Sequence, residues 1–213
     1  MDRTDACIYP YPLGDSSVQR MALEAGELGF DSLVALGNGS AAPDGIRVLQ
    51  GVLIQEKTVK AVIGQVRRAG SKAEVILVDA GELAFNRGVL SVRGIHVLRQ
   101  IHRTPRKAFD HIAARMAAER LVAVDIDLQP LIQSRGGERQ RALRRYADIL
   151  RLQRHFRFPL TLSSSARSIL DLRSPREFAA LCALFGMQET EVHAALSTVG
   201  RLLAPRGSVQ VVE

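Results

Sequence analysis

The sequence is poor in aromatic side chains and in lysine, and each shortage narrows the choice of function. It has no tryptophan, and aromatic residues make up 5% of its 213 positions. Aromatic platforms that stack single-stranded bases are therefore not expected. Lysine occurs only at 57, 60, 72 and 107, so 25 of the 29 basic residues are arginine. Because the arginine fork matches phosphate oxygens, this composition favours an anionic partner.

Cysteines and long apolar runs are also scarce. Cys7 and Cys182 lie far apart and fit no metal-binding spacing, so free thiols in a reducing compartment are expected. The first residues, MDRTDACIYP, are too polar for a signal peptide, and no apolar run approaches the length of a membrane span. These absences predict a cytoplasmic protein without a membrane partner.

Charge is unevenly distributed along the chain. Residues 1–86 hold 8 basic and 11 acidic residues, a net charge of −3, whereas residues 87–213 hold 21 and 11, a net charge of +10. A GC-rich genome would explain the excess of arginine over lysine, but it would not explain this asymmetry. The second part of the chain is therefore expected to present a basic face.

Short apolar runs alternate with amphipathic helices over the whole length. Strands are predicted at Ala6–Ile8, Ser32–Leu36, Val48–Ile54, Val75–Val78, Ile95–Leu98, Leu121–Ile126 and Leu160–Leu162, with a further candidate at Ser208–Val212. Helices are predicted at Ser17–Leu28, Thr58–Arg68, Pro105–Ala118 (capped by Thr104), Glu138–Phe156, Pro175–Phe185 and Thr190–Leu203. Near-continuous apolar runs suit parallel strands that are buried on both faces. No dinucleotide fingerprint or P-loop follows a strand, so an irregular (β/α) barrel is predicted, as one domain over residues 1–213.

Two carboxylates in one strand form the first candidate site. Asp125 and Asp127 stand two positions apart, so they project from one face, where a divalent cation could bind with Asp79 as a third ligand. None of the five histidines forms an HxH or HxxxH pair, which leaves few further ligands. Structural pairing with arginine is therefore favoured, with no metal and no cofactor.

Hydroxyls at the end of another strand form the second candidate site. Ser163, Ser164 and Ser165 follow the predicted strand Leu160–Leu162, but no GxSxG motif and no suitably spaced histidine accompany them. A polar turn that caps a helix is the simpler interpretation. The functional alternative is that these hydroxyls and Arg167 hold a phosphate.

Basic clusters at turns and helix starts are the remaining candidates, and together they favour a polyanion. They comprise Arg87, Arg103, Arg106, Lys107, Arg135, Arg139, Arg141, Arg144, Arg145, Arg167, Arg173 and Arg176. Arg144 and Arg145 are predicted to lie on the outer face of helix 138–156, opposite Leu143, Tyr146 and Leu150, where replacement of both would leave the core intact.

Four segments in a fixed order carry a resemblance to a known family. VDAGELAFNRGVL, AVDIDLQPLIQ with its Gly-Gly turn and arginine-rich helix, PLTLSSSAR and LRSPREFAALCALFGM are similar to the archaeal and eukaryotic RNase P protein component 3 family. The resemblance covers about residues 5–190. It implies a TIM-like barrel related to the metal-dependent phosphoesterases of the polymerase-and-histidinol-phosphatase type.

The resemblance also implies a function and a set of partners. Members of the family are protein subunits of the ribonucleoprotein that removes the 5′ leader from precursor tRNA, in which the RNA does the chemistry. The implied partners are RNase P RNA, RNase P protein component 2, the other RNase P proteins, and precursor tRNA as the substrate. The twelve basic residues above become RNA-binding candidates, among which Arg87 and Arg167, in the shared motifs, are expected to matter more than Arg144 and Arg145.

The first strand departs from the phosphoesterase pattern. Those relatives begin with an Asp-x-His-x-His-like strand, whereas this chain has Asp5, Cys7 and Tyr9 at the corresponding positions. Without the histidines we expect neither a catalytic metal nor cleavage by the isolated protein. Two alternatives stay open: a metal-dependent phosphoesterase that uses Asp79, Asp125 and Asp127, and a barrel enzyme for a small phosphorylated metabolite.

If the basic part of the chain contacts phosphates, its affinity for RNA falls steeply as salt rises, because each neutralised phosphate releases counterions. Titrations of RNA binding at several salt concentrations measure this dependence. An affinity that stays constant between low and moderate salt would show that the charge of +10 is only solvated surface.

Overall fold

Seven parallel strands form the centre of the molecule in a computed structural model that describes residues 2–37 and 45–204. In chain order they are β1 (Thr4–Ile8), β2 (Ser32–Leu36), β3 (Arg47–Ile54), β4 (Val75–Asp79), β5 (Val97–Arg99), β6 (Ala123–Asp127) and β7 (Leu160–Ser163). Each strand pairs with the next one in the sequence. This order is typical of a barrel made of repeated β–α units, and it confirms the predicted fold class.

The barrel closes where the chain beyond β1 meets the chain beyond β7. Ile8 pairs in parallel with Ala166, and the Tyr9 amide donates to the Ala166 carbonyl at 2.7 Å. The Ser165 amide donates to the Cys7 carbonyl at 3.0 Å. These bonds satisfy the edges that an open sheet would leave unpaired.

Helices and short 3₁₀ turns connect the strands and follow the last of them. The helices are α1 (Val18–Leu28), α2 (Val59–Ala69), α3 (Leu83–Leu90), α4 (His111–Arg120), α5 (Gln129–Gln133), α6 (Gly136–Phe156), α7 (Pro175–Ala183), α8 (Glu189–Leu196) and α9 (Thr198–Leu203). The 3₁₀ turns are Gly70–Lys72, Ile101–Arg103, Arg106–Ala108 and Ile169–Asp171. None of the helices within residues 2–37 and 45–204 is long and apolar enough to cross a membrane.

The strands are buried on both faces, which explains their apolar runs. Val34, Leu77 and Val97 belong to the cluster inside the barrel, whereas their neighbours along the strands pack against the surrounding helices. Val199 of α9 joins the inner cluster, with Leu202 and Leu203 packed beside it. The other end of the barrel, at the carboxyl ends of β5 to β7, carries polar side chains instead.

Three of the predicted helices have different bounds in the structure. The helix predicted from Pro105 is a 3₁₀ turn followed by α4, which starts only at His111 because the Asp110 side chain accepts from the Ala113 amide at 3.0 Å. The helix predicted to reach Phe185 ends at Ala183, and a turn leads on to Gly186, whose φ is 86°. The last predicted helix is two helices, which meet at Ser197.

Other boundaries differ by one or two residues. Leu121 is the left-handed cap of α4 rather than part of a strand, and β5 begins at Val97 and includes Arg99. Helix α3 lies in a segment for which no helix is predicted. The candidate strand Ser208–Val212 lies outside the described residues.

Closure of the barrel requires a glycine at position 14. A Cβ atom there would lie 2.1 Å from the Tyr9 carbonyl oxygen and 2.2 Å from that of Arg167, both of which are backbone atoms. We predict that Gly14→Ala lowers the free energy of unfolding by about 2–4 kcal/mol because the two segments must separate. Urea denaturation measures the change.

Gly26→Ala is the matched control. Gly26 lies inside α1, and a Cβ atom added there would have nothing within 4 Å. Removing a flexible glycine from a helix interior should raise the free energy of unfolding by about 0.5–1 kcal/mol. If Gly14→Ala proves as harmless as this control, the close contact between the two ends of the barrel is wrong.

Candidate functional site

A buried arginine lies at the mouth of the barrel, at the carboxyl end of β5. The Arg99 Nε donates to Asp125 at 3.1 Å, and its Nη2 lies 3.4 Å from an Asp127 oxygen. The remaining contacts of the guanidinium are with Tyr9 Oη at 3.0 Å and Ser165 Oγ at 2.6 Å. All three charged side chains are 1% exposed or less. The predicted pairing of Asp125 and Asp127 with arginine is therefore confirmed.

Further donors complete the environment of the two carboxylates. Asp125 accepts from Thr161 Oγ1 at 2.9 Å and from Ser163 Oγ at 2.6 Å. Asp127 accepts from the Gln100 side chain and from the Gln129 amide, both at 3.0 Å. Burial raises the pKa of both carboxyls, and the Arg99 guanidinium opposes this shift.

These contacts fit a structural cluster better than a metal centre. A divalent cation would have to displace Arg99, because the guanidinium lies between the two carboxylates. Asp79, the third ligand considered, instead accepts from the Gln55 side chain at 2.8 Å. Over residues 2–37 and 45–204, no group of three or more His, Cys, Asp or Glu side chains is arranged to hold a metal ion.

Asp5 is a second buried carboxyl near this cluster. It accepts from the Ser164 amide at 3.0 Å, from the Ser164 hydroxyl, and from the Cys7 amide at 3.2 Å. Burial raises the pKa of the Asp5 carboxyl from 3.8 to about 7, because these hydrogen bonds offset only part of the desolvation. Ser164 and Ser165 are thus used inside the barrel, and both are 1% exposed.

The predicted basic residues occupy three kinds of environment. Eight are exposed: Arg103, Arg106, Lys107, Arg135, Arg141, Arg144, Arg167 and Arg176. Arg87, Arg139 and Arg173 are partly buried, and Arg145 is buried. The candidate set therefore mixes accessible cations with side chains that serve the fold.

Five of these arginines line one groove on the outside of the barrel. We call it the α6 groove, and it lies between α6 and the two 3₁₀ turns at 101–103 and 106–108. Its volume is about 820 Å³. Arg103 and Arg106 line it from the turns, and Arg141, Arg144 and Arg145 line it from α6. Lys107 lines an adjoining cavity, which shares Arg106 and Arg145 with the groove.

The structure does not bring the remaining candidates to this groove. Arg87 pairs with Asp110, the cap of α4, so its charge stabilises a helix start. Arg167 lies on a different cavity, where its guanidinium carbon is 4.4 Å from the centre of the Tyr9 ring. Arg173 donates to the carbonyls of Leu170 and Leu172, at 2.9 and 2.6 Å. Arg135, Arg139 and Arg176 line none of these cavities.

The predicted position of Arg145 is wrong. The sequence pattern places it on the outer face of its helix, but it is 5% exposed and donates to the carbonyls of Ile101 and Arg106, both at 3.3 Å. The spacing along the helix does indicate that Arg145 is buried, since Ala142, Arg145, Tyr146 and Ile149 follow the i, i+3, i+4, i+7 pattern of one helix face.

Arg99 is the site residue that the sequence reasoning misses. The predicted strand ends at Leu98, which leaves the arginine outside it. Alternation along the strand would have found it, because Arg99 is two residues from Val97 and projects to the same inner face. The two carboxylates on the neighbouring strand also require a buried cation.

The geometry defines a TIM-like α/β barrel whose mouth is filled by mutually paired charges and whose outer surface carries a basic groove. The chain belongs to the RNase P subunit p30 family, whose sequence profile matches residues 3–208. Ribonuclease P protein component 3 of Methanothermobacter thermautotrophicus is 33% identical over 211 residues, which cover 91% of this chain and 86% of the relative. The Methanococcoides burtonii protein of the same name is 32% identical over 201 residues, with 91% and 83% covered.

Solved structures support the fold. A chain in the cryo-EM structure of archaeal ribonuclease P with mature tRNA aligns with a TM-score of 0.79 at 18% identity, and 99% of each chain is covered. Histidinol phosphate phosphatase from Lactococcus lactis, solved with zinc, histidinol and phosphate, aligns with a TM-score of 0.60 at 8% identity over 94% of each chain. At these identities the matches establish the barrel fold, and the assignment to the family rests on the sequence profile and the relatives.

The buried Asp5 carboxyl predicts a pH dependence of stability. Its pKa is raised to about 7 in the folded protein, against 3.8 for an ordinary aspartate. The pH-dependent contribution of Asp5 to the free energy of unfolding is therefore fully present below about pH 3.8, and it is lost as the pH rises through about 7. We predict that Asp5→Asn, which does not titrate, loses less stability than the wild type between these pH values.

Urea denaturation of both proteins at about pH 5 and about pH 8 measures the difference. Each unit of pKa shift corresponds to about 1.4 kcal/mol, so the expected difference between the two profiles is a few kcal/mol. Asp31→Asn is the control, because Asp31 is an exposed partner of Arg3. Parallel profiles for the wild type and Asp5→Asn would contradict the raised pKa.

Proposed function

We propose that the chain is a protein subunit of ribonuclease P that binds and supports the catalytic RNA during removal of the 5′ leader from precursor tRNA. Its membership of the RNase P subunit p30 family, together with relatives named ribonuclease P protein component 3, supports this function. The proposed unit is one barrel domain over the whole chain. As the family resemblance implies, RNase P protein component 2 is the proposed protein partner, beside the other RNase P proteins.

The observation that carries the structural part of the proposal is the position of Arg99. Its guanidinium neutralises Asp125 and Asp127 at the end of the barrel where enzymes of this fold hold their reacting groups. The Thr161 hydroxyl and the Gln129 amide donate to the other oxygen of Asp125 and of Asp127, respectively. The Ser163 hydroxyl and the Gln100 side chain share the oxygens that Arg99 contacts. The mouth therefore contributes stability, and contact with RNA falls to the accessible arginines outside the barrel.

The exposed arginines suit a role in binding RNA rather than in chemistry. They carry fixed charge and planar donors, which match phosphate oxygens, and they cannot act as general bases because they stay protonated. Their spread over the α6 groove, the start of α6 and the region around Arg167 would allow several phosphate contacts on one rigid support. A protein of this kind positions an RNA that does the chemistry.

Two isosteric substitutions separate this function from that of a metal-dependent phosphoesterase. We predict that Asp79→Asn and Asp127→Asn each leave 5′-leader removal unchanged at saturating protein, when assayed with RNase P RNA and the other protein components. Asp127→Asn should lower the free energy of unfolding by about 1–3 kcal/mol, because it weakens a buried charged hydrogen bond. Leader removal and thermal unfolding are the two measurements.

The alternative makes the opposite prediction. If either carboxylate takes part in the reaction, its amide variant stays folded and loses activity even at saturating protein. The isolated wild-type protein would then also hydrolyse a phosphate ester in the presence of a divalent cation. That pair of results would replace the proposed function with phosphoesterase activity.

A further inference from the structure

The α6 groove contains a buried cation without a matching anion. Arg145 is 5% exposed, and its guanidinium reaches only the carbonyl oxygens of Ile101 and Arg106. Its Nη2 has no hydrogen-bond partner in the described part of the chain. Among the same residues, no carboxylate lies within ion-pair distance of this guanidinium: Asp148, the acid beside it in the groove, pairs with Arg106 and Arg151 instead.

This arrangement costs stability in the free protein. A buried charge that lacks a counter-charge keeps most of its desolvation penalty, and two carbonyl dipoles replace only part of its hydration. The effect is visible in the pKa of Arg145, which burial lowers from 12.5 to about 10. Arg99, which is still more deeply buried, has two carboxylates. The difference shows that the described fold supplies a counter-charge to Arg99 and none to Arg145.

We propose that the α6 groove binds the phosphodiester backbone of RNA, with Arg145 as its buried anchor. The inference rests on the proposed function and adds to it the place of contact. An RNA phosphate above Arg145 would supply the missing negative charge and would accept from Nη2. Arg103 and Arg106 would contact the backbone from one side, and Arg141 and Arg144 from the other.

The lining of the groove favours RNA over an acidic protein. Five arginines and two acids, Glu138 and Asp148, give it a net charge of +3. The neighbouring His102 adds no charge near neutral pH, because burial lowers its pKa to about 4. None of the large apolar side chains that are exposed in residues 2–37 and 45–204 lines the groove. Protein interfaces are usually anchored by such residues, whereas a nucleic-acid backbone requires only charge and donors.

The spacing on α6 gives the groove a regular cationic edge. Arg141 and Arg144 lie three residues apart, so they project from neighbouring positions of one helix face, and both are exposed. Arg145 follows directly and points below them towards the turns. A single chain of phosphates along the groove would therefore meet two exposed forks at the rim and one buried fork at the floor.

The double variant Arg141→Ala/Arg144→Ala tests the rim without touching the core. We expect the affinity of the full-length protein for RNase P RNA to fall about tenfold or more. The slope of log K against log salt should become shallower by roughly 1.4–1.8, as expected for two lost phosphate contacts. The matched control is Arg67→Ala/Arg68→Ala, which removes two exposed charges from α2 and should leave both quantities close to those of the wild type.

Arg145→Met tests the floor, since it keeps the length of the side chain and removes the charge. We expect it to reduce affinity at least as much as the rim variant, and a thermal-unfolding measurement establishes whether it is folded. If it does not fold, the rim variant and its control decide the question alone. The inference is overturned if the rim variant binds RNA like the wild type, or if the control is weakened as much as the rim variant.

Two further measurements assign the occupant and separate this inference from the proposed function. If the rim variant binds RNA normally but binds the other RNase P proteins less well in the absence of RNA, the groove holds a protein and the RNA assignment is wrong. If the wild-type chain neither binds RNase P RNA nor raises leader removal in the reconstituted enzyme, the proposed function itself fails. Wild-type activity together with unaffected groove variants refutes the groove alone.

Discussion

The mouth of the barrel depends on the ion pairs of Arg99 with Asp125 and Asp127. Two carboxylates buried on one strand would carry a large desolvation penalty without a cation. The same guanidinium also reaches Tyr9, 90 residues away in the chain, and Ser165 beyond β7. One side chain thus joins β5 and β6 to the two segments that close the barrel. The contacts that neutralise the carboxylates therefore also hold the barrel closed.

The two buried arginines differ in whether the fold supplies a counter-charge, and this difference suggests which of them is structural and which binds a ligand. Arg99 and Arg145 are both desolvated, but only Arg99 has anionic partners within the described residues. A charge that is satisfied internally stabilises the free protein, whereas one left with carbonyl oxygens alone gains most when an anion arrives. Because the free energy gained on binding includes this relief, an incompletely paired arginine makes a stronger anion site than an exposed one of the same charge.

Much of the fold follows from apolar periodicity, because strands buried on both faces leave a clear pattern. All seven described strands overlap a predicted one, and the paired role of Asp125 and Asp127 is found from their spacing. The burial of Arg99 and Arg145 is missed for one reason: their charge is given more weight than their position in the strand or helix period. Each sits where the strand or helix period points inward, and its partners are brought in from other parts of the sequence. Such long-range partners are not visible in a local sequence pattern. The pattern also fails to show that Asp110, rather than Thr104, caps the helix α4.

Ion pairs that stabilise the fold decide where the positive charge of the chain is exposed. In the basic part of the chain several acids are already engaged: Asp110 by Arg87, Asp148 by Arg106 and Arg151, and Glu191 by Arg154. Asp125 and Asp127 are engaged inside the barrel. Because these acids stabilise the fold, the net charge of +10 is expressed mainly by exposed arginines that have no carboxylate partner in the described structure. Arg141 and Arg144 are two of these, and they lie beside Arg145, the buried arginine that also lacks a carboxylate partner among the described residues, so part of this charge meets at the α6 groove.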